Sequence, residues 1–274
     1  MRERDFLENC GYCKKSKAEK TIAVFGSDGK LDIKDIIKRL DGLFAVEDIK
    51  GAGELLYLSL ANARRLGDKA GELSILSELM GFHRRTADKD AAILACREGI
   101  ALIGELKIGN SISGATVLLN AATTLAAYGA PDEALEYFNE VLRVYSDNLD
   151  PYDYRFAGLY NNIGTAYMSA KNFERALEYY RAALSLVIKT ENRPEIAVTH
   201  VNIAELYHEW DVPDSDERMD EHVKAAIAEL ESITERDGYY AFTCRKCTPT
   251  LDRLGYFFDA KRLNERADKI YAGN

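Results

Sequence analysis

Apolar and small residues along this chain return at helical spacing, and the stripes they form repeat. Tyr160, Ile163, Gly164 and Tyr167 lie on one face of a helix, and Ala176, Tyr180 and Ala183 lie on one face of the next. Forty-two residues earlier, Leu118, Ala121, Ala122 and Leu125 stand for the first helix, and Ala134, Phe138 and Val141 for the second. Earlier again, Met80 and Gly81 precede Ala92, Cys96 and Gly99, so Ala92, Ala134 and Ala176 are spaced by 42 and 42. Ile203, Ala204 and Tyr207 follow the central first helix at a spacing of 40, and Val223 and Ala226 continue the second after an acidic stretch, residues 211–221. Weaker copies stand at Ile36, Leu40 and Leu43 with Ala52, Leu56 and Ser59, and at Cys244, Cys247 and Leu251 with Ala260, Asn264 and Ala267. Atypical end copies are expected where an outer face meets water. The pattern predicts an all-α chain, an α-solenoid of about six stacked antiparallel helix pairs over residues 31–274. Residues 1–30 form an N-terminal extension outside the repeats. Its apolar run, residues 20–26, is read as a cap on the first repeat, as a flexible segment, or as an occupant of a groove.

The order aromatic, apolar, small, aromatic, then small, aromatic, small resembles the tetratricopeptide repeat family over about 240 residues, specifically in the two central pairs and loosely outside them. The period of 40 to 42 exceeds the 34 of the basic repeat and is similar to the long-helix subclass seen in kinesin light chains and some bacterial regulators. Several phrases also look like a group of uncharacterised clostridial repeat proteins. The resemblance implies a superhelix whose first helices line a concave groove for peptide segments of other proteins, and no catalysis. Gly129-Ala130-Pro131-Asp132 reads as an inter-helix turn, with Asp132 as N-cap. Gly164 reads as the close approach of two helices, intolerant of a larger side chain.

Asparagine is a mediocre helix former, yet Asn161 and Asn162 sit side by side within a helix. Asn162 lies two residues before Gly164, about 200° around the axis and off the core stripe. Asn120 before Ala122 and Asn202 before Ala204 share that offset, whereas Leu79 and Lys246 fill the slot in outer repeats. An amide carries both donor and acceptor, so a ladder of three can grip an extended backbone; in the resembled family Asn here does so. Expected peptide-binding residues are therefore Asn120, Asn162 and Asn202, with Thr116, Thr123, Thr165, Met168 and Glu205 beside them. Arg85 and Arg253 stand at the two ends. Asn161, one step round, faces the groove or the preceding repeat.

Composition narrows the function classes. The net charge is −9, which opposes nucleic-acid binding, since that needs a basic footprint. Residues 109–131 lack charge but carry two asparagines and three threonines, so they read as a buried helix rather than a membrane span. The amino terminus shows no apolar secretory core, and five cysteines fit reduced thiols in a cytoplasmic protein. Cys10 and Cys13, with Cys244 and Cys247, form two C-x2-C pairs. They lie at opposite ends of the array, and the second pair falls on core positions, so no metal or other cofactor is expected. His83, His200, His208 and His222 lack metal-binding spacing, and His200 reads as a packed, hydrogen-bonded residue. Residues 211–221 lack the Gly and final Glu of a calcium loop and read as a solvated loop. The expected function is a non-catalytic protein–protein interaction scaffold that binds an extended peptide in the concave groove. The alternative is a sensor of short signalling peptides acting through a partner protein, since about 30 residues before the repeats are too few for a DNA-binding domain.

Overall fold

The structure, a computed structural model, describes residues 29–272. Among them are twelve helices and no sheet: α1 (Ile33–Ala45), α2 (Ile49–Leu66), α3 (Lys69–Arg85), α4 (Lys89–Leu106), α5 (Ile112–Ala127) and α6 (Pro131–Asn148) form the first half. The second half is α7 (Arg155–Ser169), α8 (Phe173–Lys189), α9 (Arg193–Glu209), α10 (Ser215–Ser232), α11 (Gly238–Arg253) and α12 (Phe257–Tyr271). They pack as six consecutive pairs, and the first helix of each pair also packs on the first helix of the next. The result is an α-solenoid whose odd-numbered helices form a continuous inner layer.

A recurring turn joins consecutive helices at five junctions. A residue in the left-handed region is followed by an Asp or Asn whose side chain caps the next helix. Glu47 (φ 57°), Gly67 (φ 68°), Ala87 (φ 56°), Lys171 (φ 61°) and Glu191 (φ 54°) precede Asp48, Asp68, Asp88, Asn172 and Asn192. Each cap accepts a backbone N–H three residues on, as Asp48 Oδ1 does from Gly51 at 2.8 Å. The turn before α6 departs from this. Ala130 occupies the cap position without a side-chain bond and Pro131 opens the helix. Asp132 is therefore not the cap; it sits in the first turn, where its charge favours the helix dipole.

The stripes read from the sequence are the core. Ala92, Ala134 and Ala176 are fully buried, as are Phe138, Tyr180, Val223 and Ala226. A Cβ on Gly164 would lie 2.6 Å from the Tyr180 ring, so only glycine admits that ring between α7 and α8. Residues 109–131 hold the mostly buried α5, and among the described residues no helix is long and apolar enough to cross a membrane. Cys244 and Cys247 are buried on α11, and burial pushes the Cys247 thiol up to about 12. The expectations for Cys10, Cys13 and residues 20–26 fall outside the described residues. The acidic stretch 211–221 is not a loop throughout. From Ser215 onward it forms the first turns of α10, where Asp220 accepts from Tyr256 of the last pair and pairs with Lys224.

Candidate functional site

The three asparagines at the shared offset do not share an environment. Asn120 donates through Nδ2 to Ser77 Oγ of α3 at 2.7 Å. Asn202 donates to Asn161 Oδ1 of α7 at 3.0 Å, and Asn161 donates in turn to Thr199 Oγ1 of α9 at 3.0 Å. These amides stitch one first helix to its neighbour. On the α5 side of the cleft that Asn162 lines stands Leu119, which offers no side-chain acceptor. Asn162 is half-buried and makes no side-chain hydrogen bond with the described residues. The expectation of a ladder of three groove-facing amides is thus corrected: two are structural bonds, because the preceding helix supplies Ser77 or Asn161, and one is unengaged.

Asn162 lines a cleft of about 480 Å³ on the inner face. Thr116 and Leu119 of α5 form one wall, with Tyr154, Arg155, Gly158 and Asn161 beside Asn162. Glu195 of α9 and Tyr239 and Lys246 of α11 form the other. Arg155 is held in a forked pair by Asp153, Nε to Oδ1 at 2.8 Å and Nη2 to Oδ2 at 2.7 Å. That hydrogen-bonded guanidinium holds the Asp153 carboxyl below its ordinary range. Tyr239 donates to Glu195 Oε1 at 2.6 Å, and burial, then this bond to a carboxylate, raise the phenol well above its usual range. Lys246 is exposed and makes no ion pair with the described residues. The cleft therefore offers one unengaged amide, one unengaged ammonium and two aromatic edges. Charges at Arg155 and Glu195 are already neutralised or bonded.

Other expected residues lie elsewhere. Thr116 reaches the cleft, but its hydroxyl is donated to Ile112 O at 2.9 Å. Thr123 is half-buried and bonds Leu119 O at 2.8 Å. Thr165 bonds Asn161 O and the buried Tyr180 hydroxyl, each at 3.0 Å. Met168 is not on the groove: it is buried in a cluster with Tyr180 and Tyr207, because its position turns back to the core. Glu205 pairs with Arg253 and accepts from Thr250 at 3.4 Å, joining α9 to α11. Arg85 places its guanidinium 4.7 Å above the Phe44 ring in the first pair. His200 is hydrogen-bonded as expected, its Nδ1 lying 2.8 Å from His222 Nδ1. Among the described residues no group of three or more His, Cys, Asp or Glu is placed to hold a metal.

Sequence reading missed Tyr154, Arg155, Glu195, Tyr239 and Lys246 as cleft residues. A signal for three of them was present. Arg155, Glu195 and Tyr239 each stand seven residues before the slot held by Asn162, Asn202 and Lys246. Seven residues are about two turns, so each lies on the same face nearer the helix start.

Residues 155–215, which run from the start of α7 to the start of α10, match the tetratricopeptide repeat family. The matched repeat segment includes Asn161, Asn162, Glu195 and Asn202. Solved structures with similar helical arrays include one from Podosopora anserina described as kinesin light chain nearly identical TPR-like repeats. It is 15% identical, covering 72% of this chain and 93% of that one, with a TM-score of 0.49. BtubC (BKLC) from P. vanneervenii is 20% identical, covering 89% of this chain and 92% of that one, with a TM-score of 0.47. No match was found among curated proteins.

Proposed function

We propose that this tetratricopeptide repeat chain is a non-catalytic scaffold that holds an extended peptide segment of another protein in the inner cleft. Tetratricopeptide repeats serve protein–protein interaction in general, and the observation that supports this use of the cleft is Asn162. An amide that is half-buried, unengaged and set between two first helices supplies a donor and an acceptor to a peptide backbone. Tyr154 and Tyr239 add amphipathic surface at low entropic cost, and Lys246 adds a charge for an anionic group. The buried free thiols Cys96, Cys244 and Cys247 fit a reducing, cytoplasmic setting.

The test is selection from a displayed random-peptide library by the intact chain, followed by calorimetry on the selected peptides. Asn162→Ala should keep the melting temperature and weaken those peptides by roughly 1–3 kcal/mol, the cost of a buried peptide group left unpaired. Phe258→Ala, at a side chain 90% exposed on α12, should leave binding intact. Selected peptides that bind Asn162→Ala and Lys246→Ala as well as the unaltered chain would place recognition outside the cleft.

A further inference from the structure

Among the described residues, an ion pair joins the two ends of the array. Arg245 of α11 reaches Glu47 in the turn after α1, Nη1 to Oε1 at 3.3 Å, across 198 residues of sequence. The guanidinium is aimed there by its own end of the array. Asp268 of α12 accepts from its other nitrogen at 2.8 Å, and the Tyr271 ring lies 4.6 Å beneath it. A planar cation with five donors serves both carboxylates at once. A second observation places the two ends together independently of that pair. The Tyr271 hydroxyl feels the charges of Arg85 and Asp41, which belong to α3 and α1. The last pair therefore approaches the first two through side chains.

The sequence around Arg245 divides its work by helix face. Cys244 and Cys247 are buried among the core of the last two pairs. Arg245 and Lys246, between them, project away from it: Arg245 to the opposite end of the array, Lys246 into the inner cleft. The receiving side carries Glu47, Asp41 and a half-buried Glu78, whose carboxyl is raised by burial and by Asp41 against the pull of Arg84, with Arg85 stacked on Phe44 beside them.

We infer that the six pairs form one closed turn, and that Arg245 is a salt-sensitive latch between its first and last pairs. Glu47 is largely exposed, with 70% of its side chain in water, and an exposed ion pair shifts an equilibrium by no more than about fivefold. Such a latch holds weakly. Salt opens it, because the screening length falls from about 10 Å at 0.1 M to about 3 Å at 1 M. Opening also moves α11, the helix that carries Lys246 into the cleft.

The experiment is small-angle X-ray scattering on the full chain at 20 mM and 1 M sodium chloride, with Glu47→Lys and Arg245→Ala as variants. Glu47→Lys sets like charges against each other on an exposed turn. The fold accepts Lys there, since Lys107 (φ 55°) and Lys171 (φ 61°) hold the same left-handed turn conformation. Arg245→Ala removes the latch from the other side. The expected result is a compact chain at low salt, and a larger radius of gyration for both variants and for the unaltered chain at high salt. Circular dichroism should show unchanged helix content in every case. Scattering curves that superimpose across both variants and both salts would overturn the latch. So would an open, extended profile for the unaltered chain at low salt.

Discussion

The adjacent residues Asn161 and Asn162 are chemically identical and physically opposite. Asn161 is buried and gives and receives one bond each, so Asn161→Ala strands Thr199 and Asn202 partners across the α7–α9 contact. Chemical denaturation should show a loss of about 1–3 kcal/mol. Asn162→Ala should stay within about 0.5 kcal/mol of the unaltered chain, since no described residue depends on its amide. Gly164→Leu should cost on the order of 1–3 kcal/mol by forcing the Tyr180 ring aside, and thermal melting reads it directly. The sequence alone was enough to place Gly164, because a small residue opposite a buried aromatic follows from stripe spacing. It was not enough to sort the asparagines. Whether an amide is free depends on what the neighbouring first helix presents, and Ser77, Leu119 and Asn161 become neighbours only when the pairs stack.

At the scale of single helices, the α9–α10 contact carries a titratable pair. His200 and His222 share one hydrogen bond, so one ring donates and the other must remain unprotonated to accept. Burial, then the charge of His200, then Arg181 push His222 down to about 4; burial lowers His200 against the opposing pull of Glu229. Buried His83 on α3 is lowered as well, against Asp88. Folded imidazoles thus bind fewer protons than unfolded ones between the ordinary range near 6.5 and about 4. Stability is then complete above that window and is lost as pH falls through it. Denaturation midpoints at pH 7 and pH 5 should show this fall. His222→Gln should flatten part of the slope, leaving the rest to His200 and His83. Helix existence and pairing were legible from the apolar period. The start of α10 was not, because its first turns are almost all polar and are held by contacts with Tyr207 and Tyr256 and by Met219 against the core.

For the molecule as a whole, the buried residues fall into a large cluster spanning the first four pairs, a smaller one in the last two, and a small one bridging them. Leu230 is fully buried in the C-terminal cluster. Leu230→Ala should cost about 2–5 kcal/mol and act locally, as expected when each repeat mainly contacts its neighbours. Hydrogen exchange should rise across α9–α12 while α3–α6 keep their protection; a uniform rise would mean the array opens as one unit.

The contact between Glu47 and Arg245 has a consequence for the order in which the chain is made. The helices otherwise pack on those one or two places along the sequence, so each pair forms soon after it leaves the ribosome, at low cost in loop entropy. Glu47 emerges 198 residues before its partner. During synthesis the inner face is therefore a growing open trough, accessible to any chain nearby, and it acquires its final curvature only when the twelfth helix is complete.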